Sequence, residues 1–95
     1  MSNHRAAIEK LFVEMADQVL AFVKEVESAF ADRWVPATYI KNQLDLKKDS
    51  YPIENEIQNR TGWFFATLAR NLQDRGQVEF RKEGNRSYYR SASGT

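Results

Sequence analysis

The last third of the chain, Thr61 to Arg90, limits the possible folds more than any other stretch. It reads TGWFFATLARNLQDRGQVEFRKEGNRSYYR: apolar residues at helical spacing, then Gly76, then two short runs of alternating character. A helix from Thr61 to Arg75 is expected, because Phe64 or Phe65, Leu68 and Leu72 recur at helical intervals and Gly commonly ends a helix in the left-handed conformation. Beyond it, Gln77 to Arg81 alternate so that Val78 and Phe80 share a face, and Ser87 to Arg90 make a return strand. Gly84-Asn85 supplies residues tolerant of positive φ at the tip between them. A helix that stops on glycine and runs into a hairpin requires a small mixed fold.

With Phe65, Leu68, Ala69 and Leu72 directed inward, the opposite face of this helix displays Trp63, Thr67, Arg70, Asn71 and Asp74. Arg and Asn are the side chains that read guanine and adenine edges in the major groove, although an ordinary solvated helix face has the same composition. Trp63 is open to two readings, core or contact. Around the hairpin tip stand Arg81, Lys82, Arg86 and Arg90 against only Glu83. Basic side chains on a projecting two-stranded loop suit phosphate contacts or insertion into a minor groove. They equally suit a charged edge that discourages sheet-to-sheet association.

Net charge is +1, but it is unevenly placed. Residues 1–32 carry three basic and six acidic side chains; residues 33–95 carry eleven and seven. An acidic first part and a basic second part point to an anionic partner for the latter. Ninety-five residues with 42% apolar side chains suffice for one domain with one modest core. The first residues, MSNHRAAIEK, contain no long apolar run, and no stretch approaches the roughly 18 consecutive apolar residues of a membrane span. A soluble, unprocessed, cytoplasmic protein is expected. With no cysteine, disulfides, thiolate metal sites and cysteine nucleophiles are excluded together.

From His4 to Ala31 the chain lacks Gly and Pro and is rich in Ala, Glu, Lys, Leu and Met, which predicts one long helix. Ile8, Phe12, Met15, Val19, Phe22, Val26 and Ala29 follow each other at alternating intervals of four and three, the rhythm of a packed helical seam. Leu11, Ala16, Leu20, Val23 and Phe30 widen that stripe. About 28 residues at 1.5 Å each give a helix of about 42 Å, longer than the domain the remaining residues can build. Part of the stripe therefore overhangs. The C-terminal part, near Val19 to Phe30, is expected in the core. The N-terminal part, with Ile8, Leu11, Phe12, Met15 and Val19 at the contact, is expected to pair with the same helix of a second subunit. Packing of the whole stripe on its own domain is the alternative.

Trp34-Val35-Pro36 reads as a short extended element, since a residue before proline avoids the helical region, and Pro36 suits the start of a helix running to about Leu44. Ile40 and Leu44 share one face of it; Lys41, Asn42 and Gln43 face elsewhere. In Leu46 to Arg60, Ile53 and Ile57 with Glu54 and Glu56 predict a further short helix, Ile53 to Asn59. Either short helix could precede Thr61–Arg75 as its helix-turn-helix partner.

Leu68 to Arg81, LARNLQDRGQVEFR, followed by a basic turn and Tyr88-Tyr89-Arg90, resembles the end of the recognition helix and the wing of winged helix-turn-helix regulators, the MarR-like and PadR-like bacterial repressors. The resemblance covers about 30 residues, or about 60 with Trp34 to Arg60. It implies a mainly α fold with a small β-hairpin, a winged helix-turn-helix domain preceded by a long N-terminal helix. Residues 1–32 would be the dimerising helix, 33–60 a short strand and helices, 61–75 the recognition helix and 76–91 the wing hairpin. It further implies sequence-specific binding of double-stranded DNA as a homodimer, as in transcription regulation. The base-contacting face then falls on Thr61, Trp63, Thr67, Arg70 and Asn71, the wing's phosphate contacts on Arg81, Lys82, Asn85 and Arg86, with Arg60, Lys47 and Lys48 flanking. Leu46 to Arg60 is longer than the usual connection in that family, and the long helix lies only on the N-terminal side.

Catalysis has little to work with. His4 is the single histidine, there is no Gly-rich phosphate loop, and no carboxylate pair stands apart from ordinary helix solvation. Neither enzyme activity, a cofactor nor a bound metal is expected. The alternative function is a winged-helix protein–protein interaction module without DNA binding, using the aromatic residues and the acidic first helix.

Overall fold

Asn3–Val26, free of helix breakers, forms helix α1. The computed structural model describes residues 3–44 and 63–92. After α1 the chain passes through two 3₁₀ turns, Glu27–Ala29 and Ala31–Arg33, into a two-residue strand β1, Val35–Pro36, and helix α2, Ala37–Gln43. Helix α3, Trp63–Asp74, leads into the hairpin of β2, Val78–Glu83, and β3, Arg86–Ser91. The three strands make one antiparallel sheet in the order β1-β3-β2. The architecture is thus mainly helical, with a small sheet and a long N-terminal helix. No helix among the described residues is long and apolar enough to cross a membrane.

The expected helix to Ala31 stops short, at Val26. Phe30 is extended (φ −115°, ψ 152°), and Asp32 (φ 54°) and Arg33 (φ 66°) take the left-handed region that side chains usually avoid. These residues turn the chain so that β1 can lie beside β3. The turn is held by Glu27. Because β1 begins only at Val35, opposite Tyr89, the Ser91 N–H has no strand neighbour on that side. The buried Glu27 carboxylate accepts from it at 2.8 Å and from the Ser91 hydroxyl at 2.7 Å. Arg33 Nη1 donates to the same carboxylate at 3.2 Å and to the Ser91 carbonyl at 3.3 Å, offsetting its backbone strain of about 1–3 kcal/mol. Phe30, predicted within α1, instead packs edge-on against Tyr39 of α2 with ring centroids 5.1 Å apart.

The core gathers one face from each element. Ala16, Val19, Leu20 and Val23 of α1 meet Val35, Ala37 and Ile40, then Phe65, Leu68, Ala69 and Leu72 of α3, with Val78 and Tyr89 from the hairpin. All four residues predicted to point inward from the third helix do so. Every buried residue of α1 lies from Ala16 onward, and its N-terminal half leaves Ile8 (65%), Leu11 (58%) and Met15 (41%) exposed. The overhang expected from helix length is therefore present. Val19, assigned in sequence to the subunit contact, is only 4% exposed and belongs to its own core. The reason is angular: on a helix of about 3.6 residues per turn Val19 stands about 40° from Val23 and about 60° from Ala16, inside the arc of α1 that faces the core.

Candidate nucleic-acid interface

Helix α3 ends as the sequence predicts. Gly76 takes φ 71°, its N–H donates to the Gln73 carbonyl at 2.9 Å, and the Gln77 N–H reaches back to the Leu72 carbonyl at 2.9 Å. This paired closure leaves the chain pointing straight into β2. At the far end of the hairpin, Glu83 faces Arg86 across a two-residue loop whose only positive φ is at Gly84 (61°). Gly at the first central position is what a tight II′-type hairpin turn needs. Helix and hairpin are thereby fixed relative to each other, with Tyr89 of β3 edge-on to Phe65 of α3 at 5.7 Å and tilted against Phe80 at 5.2 Å.

The register sorts the hairpin side chains onto two faces. Val78, Phe80 and Lys82 lie with Ser91, Tyr89 and Ser87 on the inner face, toward α3; Glu79, Arg81 and Glu83 lie with Arg90, Tyr88 and Arg86 on the other strand of the outer face. Arg90 Nε donates to Glu79 at 2.6 Å and its other nitrogen to the Asp32 carbonyl at 2.9 Å, while its guanidinium stacks 4.2 Å from the centre of the Trp34 ring. Arg81 pairs with Glu83 and also lies over Trp34, at 5.8 Å. Two of the four basic residues placed at the tip by sequence are therefore neutralised. Glu79, two positions before Arg81, was not counted against them, and its alignment with Arg90 depends on the strand register.

The outward face of α3 is narrower than predicted. Thr67, Arg70 and Asp74 are exposed. Asn71 is not part of that set: its Oδ1 accepts from Arg75 Nε at 2.8 Å, and Arg75 continues to Asp17 of α1 at 2.9 Å. Asn71 and Arg75, one turn apart, lie on the flank that packs against α1. Arg70 lies on the hairpin side. Burial pushes the Tyr89 phenol above its ordinary value, and the nearby Arg70 charge partly offsets the shift. Trp63 opens α3. Lys47, Lys48, Arg60 and Thr61, and the predicted helix Ile53–Asn59, lie outside the described residues.

Ion pairing separates the basic side chains into two groups. Arg5, Arg33, Arg75, Arg81 and Arg90 each hold a carboxylate. Arg70, Lys82, Arg86 and Lys41 make no ion pair with any described residue, and neither do Lys10 and Lys24 on the acidic α1. For Arg86 the cause is visible: Glu83, its cross-strand neighbour, is held by Arg81. Arg70 on α3, Phe80 (41%) and Lys82 on the inner hairpin face, and Asn85 and Arg86 at the tip are all exposed, and the three cations among them hold no carboxylate of the described residues. Lys41 of α2 borders the tip, a placement sequence reasoning missed because only the pairing of Pro36 with Tyr88 creates it.

No protein-family model, curated protein or solved structure matches the chain.

Proposed function

We propose that the chain is a winged helix-turn-helix protein that binds double-stranded DNA as a homodimer and regulates transcription in the cytoplasm. In this reading α3 is the recognition helix and the β2–β3 hairpin the wing, anchored to the body by β1. The observation that carries it is the distribution of cations that hold no carboxylate among the described residues: Arg70 on α3 with Lys82 and Arg86 on the hairpin, beside arginines that are paired. Such charges gain most from phosphates, since no carboxylate of the described residues has to be displaced first. Arg70, on the exposed helix face, is assigned to base edges; Lys82, Asn85 and Arg86 are assigned to the backbone, setting register. The exposed Ile8, Leu11 and Met15, with half-buried Phe12, are assigned to a second copy of α1, which sets the spacing of the two recognition helices.

Selection of bound duplexes from a random pool tests the division of roles. Arg70→Ala is expected to change which sequences are recovered, by about 1–3 kcal/mol at one base position. Arg86→Ala is expected to weaken all duplexes about equally. The reverse pattern refutes the assignment. The protein–protein alternative is supported instead if the intact chain binds no duplex at low salt.

A further inference from the structure

We infer that the cleft between α2 and the hairpin tip seats one phosphate of a polynucleotide backbone, with Lys41 as a contact supplied from outside the recognition helix and the wing. The inference rests on the DNA-binding reading above and extends its contact surface to a third element. β1 and β3 run paired as far as Pro36 and Tyr88. One residue further along, the first chain turns into α2 while the other continues to the tip, so Ala37 and Ser87 diverge and a cleft of about 310 Å³ opens between them. Thr38 and Lys41 line one side; Asn85, Arg86 and Ser87 line the other.

The lining has the chemistry of an oxyanion seat. Among the described residues it presents an ammonium, a guanidinium, an amide and two hydroxyls, all able to donate, and no carboxylate. Neither cation is ion-paired with a described residue. The half-buried position of Lys41 holds its stem against the body, and the tight turn at Gly84 fixes Arg86 opposite it. Two other clefts differ in the feature that matters. The one under Trp34, Arg81 and Tyr88 includes Asp32 and Glu83 in its wall. The one between α1 and α3, about 430 Å³, is walled by Met15, Phe22, Leu44 and Phe64. A phosphodiester is preferred over a free phosphate because the lining residue Ser87 pairs across the hairpin with Lys82, a further exposed cation for the next phosphate of a backbone.

The test is a fluorescence-anisotropy titration of a labelled random duplex over a series of KCl concentrations, with wild type, Lys41→Gln, Lys41→Arg, Arg86→Gln, the Lys41→Gln/Arg86→Gln double variant, and Lys24→Gln as a control on α1. Lys41→Gln is expected to weaken binding about tenfold and to make its fall with salt shallower. Lys41→Arg should restore both, and Lys24→Gln should change neither. The double variant should lose less than the product of the single losses, because both side chains serve one phosphate. Wild-type binding that Lys41→Gln leaves unchanged in strength and slope overturns the cleft alone, with the DNA-binding reading intact; strictly multiplicative losses overturn the shared phosphate. Absence of wild-type binding overturns both. A parallel titration with inorganic phosphate, read from the amide signals of Thr38 and residues 85–87, separates the two sources. Saturation by inorganic phosphate that depends on Lys41, with duplex binding indifferent to Lys41, would make this a small-anion site and overturn the polynucleotide assignment.

Discussion

On the outer face of the β2–β3 hairpin, Arg81 and Arg90 each meet a glutamate and share the Trp34 ring; Lys82 on the inner face and Arg86 at the tip meet none among the described residues. The four are alike in charge and close in sequence. The register turns Lys82 away from Glu79 and Glu83, which both fall on the outer side, while Arg86, on that outer side at the tip, faces a Glu83 already held by Arg81. An arginine whose charge is already met ties the hairpin to the turn after α1. A cation left unmet can be satisfied from outside. The number of basic residues in a stretch is thus a poor measure of its affinity for an anion; their pairing is a better one.

This contrast can be broken by exchanging the outcomes of the two groups. Replacing Lys82 and Arg86 together by Ala should lower duplex affinity about a hundredfold, two contacts at about tenfold each, with the thermal midpoint unchanged. Comparable loss from the outer pair at unchanged stability would erase the distinction. The anchor beneath the outer face is next in size. Glu27→Ala should cost about 2 kcal/mol in urea unfolding, since the Ser91 N–H and hydroxyl and the Arg33 guanidinium lose their acceptor. Arg90→Ala should cost about 1 kcal/mol, from a partly exposed ion pair and its stacking on Trp34, and leave duplex affinity within about twofold.

The smallest effect concerns Tyr89. Its phenol is raised in the folded state by burial, so its neutral form contributes fully below the unfolded value of 10.0 and that contribution is lost as pH rises above it. Stability should therefore fall above about pH 10 in the wild type, and less steeply in Tyr89→Phe. Identical alkaline profiles of the two proteins would remove Tyr89 from this account.

The same register explains what was legible in sequence. Local periodicity placed α3 and its inward set Phe65, Leu68, Ala69 and Leu72 correctly, and the glycine at 76 marked the helix end. The short strand at Val35 and the hairpin turn were legible for the same reason, as each is fixed by a proline or a glycine. Contacts between residues far apart in sequence were not. Nothing near Glu27 shows that its carboxylate closes the end of β3, which is why α1 was carried on to Ala31. Nothing near Asn71 shows that Asp17 draws Arg75, and with it Asn71, to the flank of α3. Nothing near Lys41 shows that the hairpin tip arrives beside it. The overhang of α1 was legible from length alone, but its inner limit was not, and Val19 fell on the core side.

Truncation sharpens the other half of the proposal. Removing residues up to Met15 takes away Ile8, Leu11 and Met15 while sparing every buried residue of α1. Sedimentation should show a dimer for the intact chain and a folded monomer for the shortened one. A monomeric intact chain would leave those apolar residues without the partner assigned to them.

The central claim is that the cations of the hairpin and α2 that hold no described carboxylate seat on the phosphates of duplex DNA. Its most direct test is the affinity of the intact chain for a random duplex as a function of salt concentration. With Lys41 and Arg86 sharing one phosphate and Lys82 neutralising another, log K should fall against log salt with a slope of about −2 per protomer. A flat dependence, or no binding at low salt, would contradict it.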